Sequence, residues 1–152
     1  MSKQRPKVLA ISSGGGHWVQ LLRLRPAFEG SDVVFATVQE GYRADVGDAE
    51  FRVIRNANLW GKSDLILSAL GIIWLLIQIR PDVVITTGAA PGYFAVRFGK
   101  WLGARVVWLD SVANAQELSM SGHKAGPFVD LWLTQWQHLA RESGPFCRGS
   151  VL

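Results

Sequence analysis

The 152-residue chain fits a single domain large enough to bury a core, and its one cysteine, Cys147, excludes an intrachain disulfide or a cysteine metal cluster. Hydrophobic residues make up 49% and mean hydropathy is +0.16, more apolar than an average soluble domain, so part of the surface calls for a membrane or a partner chain. A formal net charge of +4 suits an anionic lipid surface, a nucleotide sugar or nucleic acid without choosing among them.

The polar, basic stretch Met1–Lys7 runs directly into the first strand, with no apolar signal region and no N-terminal anchor expected. Lys7–Ser12 reads as a buried strand, because Val8, Leu9, Ala10 and Ile11 form a short apolar run that ends in glycines. His17–Leu24 reads as a helix interrupted by Pro26. Asp32–Thr37 is a second strand and Arg52–Ile54 a weaker third. Ser63–Ile79 is a long helix with Ser63 or Asp64 as its N-cap and Pro81 as its stop. Val83–Thr86 is a strand, Pro91 or Gly92 opens a helix to about Leu102, and Gly103 closes it. Arg105–Leu109 and Val129–Leu133 complete the strands. Alternating strands and helices, with the strands continuously apolar, predict an α/β fold: a doubly wound parallel sheet, Rossmann-like, covered on both faces.

Ligands of such sheets bind at the carboxyl ends of the strands, where three loops fall: Ser12–His17, Thr87–Gly92 and Asp110–Ala115. Gly14, Gly15 and Gly16 allow a tight turn and close approach of a ligand, and the helix that follows offers free N–H groups to a phosphate. His17 stands where an imidazole takes a proton from an attacking hydroxyl; the plainer alternative is that it caps the helix. Gly88, Ala89, Pro91 and Gly92 leave room at a strand end, or simply make a tight connection. Asp110 and Ser111 can orient an acceptor or hydrogen-bond His17, and can equally cap a turn.

Leu65–Ile79 carries no charge over fifteen residues, fewer than the ~20 needed to span a bilayer. Asp64, Ser68, Gly71 and Gln78 mark a narrow, less apolar stripe on an otherwise greasy circumference. The helix is therefore expected to lie in a membrane surface through Leu65, Leu70, Trp74 and Ile77, with Lys62 and Arg80 at anionic headgroups, or to be buried by a partner chain. Near the C-terminus, Trp132, Trp136 and Leu139 form an aromatic and apolar segment suited to a protein interface, although Trp132 also fits the core.

The stretches Ser12–His17, Thr86–Gly103 and Leu109–Ala140 resemble one family. It holds the acceptor-side membrane subunit of the asparagine-linked-glycosylation N-acetylglucosaminyltransferase and the bacterial exopolysaccharide subunits of the PssD type. Ser111, Leu118-Ser119, Ser121-Gly122, Asp130 and Gln135-Trp136 carry the most specific part of the likeness. The Gly-Gly-His turn is also similar to that of MurG-type transferases. The resemblance implies the acceptor-binding, N-terminal half of a GT-B glycosyltransferase spanning residues 1–152, with the donor-binding half on a separate chain. It implies transfer of a GlcNAc- or glucuronic acid-type sugar from a UDP-sugar to a polyprenyl-diphosphate-linked saccharide. The location implied is the cytoplasmic face of a membrane, in a bacterium the inner membrane. No cofactor is implied, and the absence of an Asp-x-Asp motif implies no metal. The chain departs from the family pattern at Asp110, where glutamate is usual, at Asn114, where arginine is usual, and at Gln137, where proline is usual.

Three other functions compete with this reading. A nucleotide-binding oxidoreductase is disfavoured by the missing G-x-G-x-x-G fingerprint. A nucleic-acid binder rests on charge alone, with dispersed basic residues. A non-catalytic membrane recruiter for the donor subunit differs from an enzyme subunit only in whether His17 matters.

Overall fold

The computed structural model describes residues 4–56 and 61–152; Met1–Lys3 of the basic lead-in lie outside them. The first apolar run is strand β1 (Lys7–Ile11), followed by helix α1 (Gly16–Arg23) and a 3-10 turn at Arg25–Phe28 that accommodates Pro26. Strand β2 (Asp32–Thr37) leads through a 3-10 segment, Glu40–Val46, to β3 (Glu50–Val53), which begins two residues before the expected Arg52. Helix α2 (Lys62–Ile79), β4 (Val83–Thr86), helix α3 (Ala89–Trp101) and β5 (Arg105–Leu109) come next. The chain closes with a short helix α4 (Met120–Ala125), β6 (Leu131–Thr134) and β7 (Phe146–Cys147).

All pairings are parallel and the order is β3-β2-β1-β4-β5-β6-β7, the doubly wound arrangement. Successive β1 side chains serve opposite faces, as the strand period of two requires. Leu9 and Ile11 join Ile72, Leu76, Val84, Val96, Val106 and Trp108 under α2 and α3. Val8 and Ala10 join Trp18, Leu21, Phe28, Phe35 and Phe51 under α1. Each large aliphatic side chain so buried contributes about 1.5–3 kcal/mol, which is why the central strands read as unbroken apolar runs.

Several local expectations are corrected. Gly61 rather than Ser63 or Asp64 occupies the N-cap of α2; the Asp64 carboxylate instead accepts from Arg55 Nη2 at 2.9 Å. Helix α3 opens at Ala89, two residues before Pro91, with Ala89 at φ 64. The strand expected at Val129–Leu133 is shifted to Leu131–Thr134, because Asp130 stands at the strand mouth. Its carboxylate accepts from Val106 N–H at 2.8 Å and pairs with Lys100, which holds the carboxyl below the usual carboxylate range. Nor is that strand the last, since β7 adds to its edge. Helix α4 and the Glu40–Val46 segment carry too few apolar residues for a periodic signal.

Helix α3 lies close on the sheet because two glycines, seven residues apart, face it. A Cβ on Gly92 would fall 2.0 Å from Thr86 Oγ1, and one on Gly99 would fall 2.9 Å from Val84 Cγ2. Gly92→Ala is expected to cost about 1–3 kcal/mol as overpacking. Gly71→Ala, on the open side of α2 with nothing within 4 Å, is expected to gain roughly 0.5–1 kcal/mol from helix propensity. Urea unfolding of the two variants checks the contrast: equal stabilities would contradict the close packing of α3.

Candidate functional site

Strand order reverses between β1 and β4, the place where doubly wound sheets take ligands, and the loops that follow these two strands meet there at the carboxyl edge. The first loop turns through Gly15 at φ 66 and the second through Gly88 at φ 121, values that favour glycine. Tyr42, from the 3-10 segment after β2, overhangs the first loop. Its hydroxyl accepts from Gly15 N–H at 3.1 Å, and its ring stacks on Trp18 at 5.3 Å. The Trp18 indole N–H in turn donates to Asp45 at 2.9 Å. The first turn of α1 holds no acidic side chain and no side-chain cap, so its free N–H groups and positive dipole end stand at the carboxyl edge of the sheet.

His17 bridges the two loops. Its Nδ1 lies 2.8 Å from the carbonyl of Thr87, and Thr87 Oγ1 donates to the carbonyl of His17 at 2.7 Å. Gly88 lies against the ring: a Cβ there would approach His17 Cε1 to 3.0 Å. The adjoining positive φ at Ala89 is a strained value for a residue with a side chain, of the kind that collects at functional sites. His17 thus ties the first loop to the second, and its direct partner is Thr87 rather than Asp110 or Ser111.

Asp110 and Ser111 follow β5 as expected but do not meet His17. Asp110 is buried and fully engaged: Oδ1 accepts from Ser119 Oγ at 2.6 Å and from Asn114 Nδ2 at 3.3 Å, and Oδ2 accepts from Ser119 N–H at 2.8 Å. Ser119 in turn caps α4 through Gly122 N–H. The Ser111 hydroxyl accepts from Gln20 Nε2 at 3.1 Å and from Ala113 N–H at 3.3 Å. Both residues thus shape the third loop from within. Behind it, Gln20 Oε1 accepts from Val112 N–H at 3.0 Å and from Gln135 Nε2 at 2.6 Å; Gln135 Nε2 also donates to the Asp110 carbonyl. Gln135 Oε1 receives Ser150 Oγ and Val151 N–H. One buried amide pair therefore ties α1, the third loop, the end of β6 and the chain's last residues together. Gln20 had no visible signal, being a polar residue on a helix whose burial only the fold reveals.

The α2 residues divide as a two-sided helix. Ser68, Ile72, Leu75, Leu76 and Ile79 are buried, whereas Ile66, Leu67, Leu70, Trp74 and Ile77 are exposed. Leu65 is half-buried, and Lys62 and Arg80 are exposed. The expected polar stripe is corrected at Ser68, which points inward and donates to the Arg55 carbonyl, while Gly71 and Gln78 lie outward among the exposed apolar residues. With 18 residues and mean hydropathy 1.6, α2 is long and apolar enough to cross a bilayer by length and composition. Beside its C-terminal end, Trp101 (86% exposed) and Leu102 (56%) extend the apolar surface onto α3. A groove shared by the two helix ends is lined by Ile77, Arg80, Leu102 and Arg105.

The C-terminal residues are less free than expected. Trp132 packs against the main core, close enough to Gly126 that a Cβ there would fall 2.4 Å from its ring. Trp136 is half-buried and donates its indole N–H to the Val112 carbonyl at 2.8 Å, and Leu139 is half-buried. Among the described residues, no three His, Cys, Asp or Glu gather as a metal set.

The family described as "Oligosaccharide biosynthesis protein Alg14 like" matches residues 49–147, which include the second and third loops but not the first. The UDP-N-acetylglucosamine transferase subunit ALG14 of Yarrowia lipolytica is 24% identical over 90% of this chain and 76% of its own length. Among solved structures, MurG of Acinetobacter baumannii superposes with TM-score 0.77 at 12% identity, covering 97% of this chain and 46% of that one. UDP-N-acetylglucosamine 2-epimerase of Rickettsia bellii gives 0.74 at 15%, with the same coverages. The likeness to these structures concerns the fold, and the chain spans about half of their length.

Gln135→Leu tests the amide network. It should destabilise the chain by about 1–3 kcal/mol, because Gln20 loses a partner in a buried setting. Hydrogen exchange at residues 150–151 should rise well before global unfolding. Unchanged protection there would mean the last residues are held by something other than Gln135.

Proposed function

On the premise that this chain belongs to the Alg14-like oligosaccharide-biosynthesis family, we propose that it is the acceptor-side half of a two-chain glycosyltransferase. The observation that carries the reading is the family match over residues 49–147 on a sheet at whose switch point His17 ties the first loop to the second. The donor is a UDP-sugar of GlcNAc or glucuronic acid type, bound mainly by the partner chain. The acceptor is a saccharide on a polyprenyl diphosphate.

In the proposed reaction an acceptor hydroxyl attacks the anomeric carbon of the donor. The O–H bond breaks and its proton passes to His17 Nε2. The new glycosidic C–O bond forms as the bond to UDP breaks, the electron pair leaving on the diphosphate. The Gly14–Gly16 backbone and the open N-terminus of α1 suit a diphosphate or the charge developing near the reacting centre. Gly88 and Ala89 keep the opposite side small, whereas Pro91 and Gly92, expected beside them, are buried, with Gly92 against Thr86 on the sheet. Asp110 and Ser111 act from beneath, holding the third loop in shape.

Because a GT-B site lies between two domains, the lone chain should transfer no sugar. The check is an assay with UDP-sugars and polyprenyl-diphosphate acceptors, with and without a donor-binding subunit; robust turnover by the lone chain would sink the half-enzyme reading. In the assembled complex His17→Ala should lower turnover by ~10²-fold or more, the scale of general-base help. Undiminished turnover with intact folding would favour the alternative, a non-catalytic recruiter.

The exposed apolar residues of α2, with Trp101 and Leu102, support a seat on a membrane; the cytoplasmic face, in a bacterium of the inner membrane, is proposed as its place. Lys62, Arg80 and Arg105 stand where they would meet anionic headgroups. Replacing Leu70 and Trp74 with Gln should move the protein from the membrane fraction to the soluble one. If the variant stays with membranes, Trp101 and Leu102 or a partner hold it there. The donor subunit is proposed to dock along the carboxyl edge near Trp136 and Leu139; Trp132 serves the core instead.

A further inference from the structure

The bond between His17 Nδ1 and Thr87 has a chemical direction. A carbonyl oxygen only accepts, so the hydrogen in this 2.8 Å contact belongs to Nδ1. When the imidazole is neutral, its lone pair is therefore on Nε2. Free histidine side chains prefer the opposite tautomer, with the hydrogen on Nε2, so the fold reverses an intrinsic preference. The second Thr87 bond fixes the other end of the same residue, its hydroxyl donating to the His17 carbonyl at 2.7 Å. Main chain and side chain of His17 are thus gripped by one residue seventy positions away, on the far side of the switch point. Gly88 closes the grip, since any Cβ there would meet the ring edge at Cε1.

We propose that Thr87 is the positioning residue of this site: its carbonyl selects the Nδ1–H tautomer of His17, and its hydroxyl holds that geometry, leaving Nε2 as the basic nitrogen. The inference rests on the reading of His17 as the base in sugar transfer. It adds that the competence of His17 is set by the second loop rather than by its own. Asp110, the carboxylate nearest in sequence logic to such a role, is committed to Ser119 and Asn114 and does not orient the ring. The orienting acceptor is a main-chain carbonyl, a partner that no substitution removes. The replaceable element is the Thr87 hydroxyl, which keeps that carbonyl at hydrogen-bonding distance.

The test is nitrogen NMR on the full chain with 15N-labelled histidine, at about pH 8.5, where an ordinary imidazole is neutral. Loss of signals in His17→Ala assigns the residue. The wild type should show Nδ1 carrying hydrogen and Nε2 bare; the reverse overturns the proposal without any further variant. Thr87→Val should yield a mixture of tautomers, and Thr87→Ser should restore the wild-type pattern. In the assembled complex Thr87→Val should lower kcat ~10-fold, part of the ~10²–10⁴ that a positioned base supplies, with little change in KM; Thr87→Ser should recover most of it. A Thr87→Val chain that folds, keeps a single Nδ1–H tautomer and keeps full kcat refutes the positioning role. Full turnover in His17→Ala would instead refute the proposed reaction and leave the tautomer result standing.

Discussion

Two buried amides in contact, Gln20 Oε1 and Gln135 Nε2 at 2.6 Å, hold the carboxyl edge of this sheet together. Each side chain has both a donor end and an acceptor end, and every end is used. Together they engage the main chain at Gly16, Asp110, Val112 and Val151 and the hydroxyls of Ser111 and Ser150. In a low-dielectric setting a satisfied network is rigid, while a partly satisfied one is costly. The first helix cannot shift against the third loop without leaving a buried amide unpaired. That constraint places the start of α1, and with it His17, at a fixed height above the strands.

The sheet and its central strands are legible in the residues alone, because burial on two faces forces unbroken apolar runs such as Val8–Ile11 and Val106–Leu109. The three loops at the carboxyl edge follow from those strands. The partners inside the loops do not. Asp110 looks as available to His17 as Thr87 does when only sequence spacing is known; the fold turns Asp110 toward Ser119 and brings Thr87 to the imidazole. Gln20 and Tyr42 escape a sequence reading for the same reason, and Gln135 stands out in sequence only by family likeness, its burial against Gln20 appearing after packing. Helix α4 and β7 are too short for periodicity to reveal. The shift of β6 comes from Asp130, whose carboxylate serves the β5 main chain instead of continuing a strand.

Helix α2 illustrates a different limit. Its composition is apolar all round, which from sequence fits either full burial or a lipid contact. The structure divides the same residues by direction: Ile72, Leu76 and Ile79 go to the core, whereas Leu70, Trp74 and Ile77 remain outside. The helix is thus a structural member of the sheet's covering layer and an apolar outer surface at once. A polar substitution on the outer row should leave the fold intact, and one on the inner row should not, so the two roles are experimentally separable.

The sheet has two free borders, and both are guarded. β3 is four residues long and bears the Glu50–Arg52 ion pair. β7 is two residues long and is followed within two positions by Gly149 at φ 119. Short, charged or broken borders deny a second chain the straight backbone ladder it would need to continue the sheet. A domain that leaves a row of large apolar side chains uncovered would otherwise be at risk of stacking on itself. Its row of exposed apolar side chains lies on a helix, whose backbone is already paired, rather than along a sheet border, where any extended peptide would do.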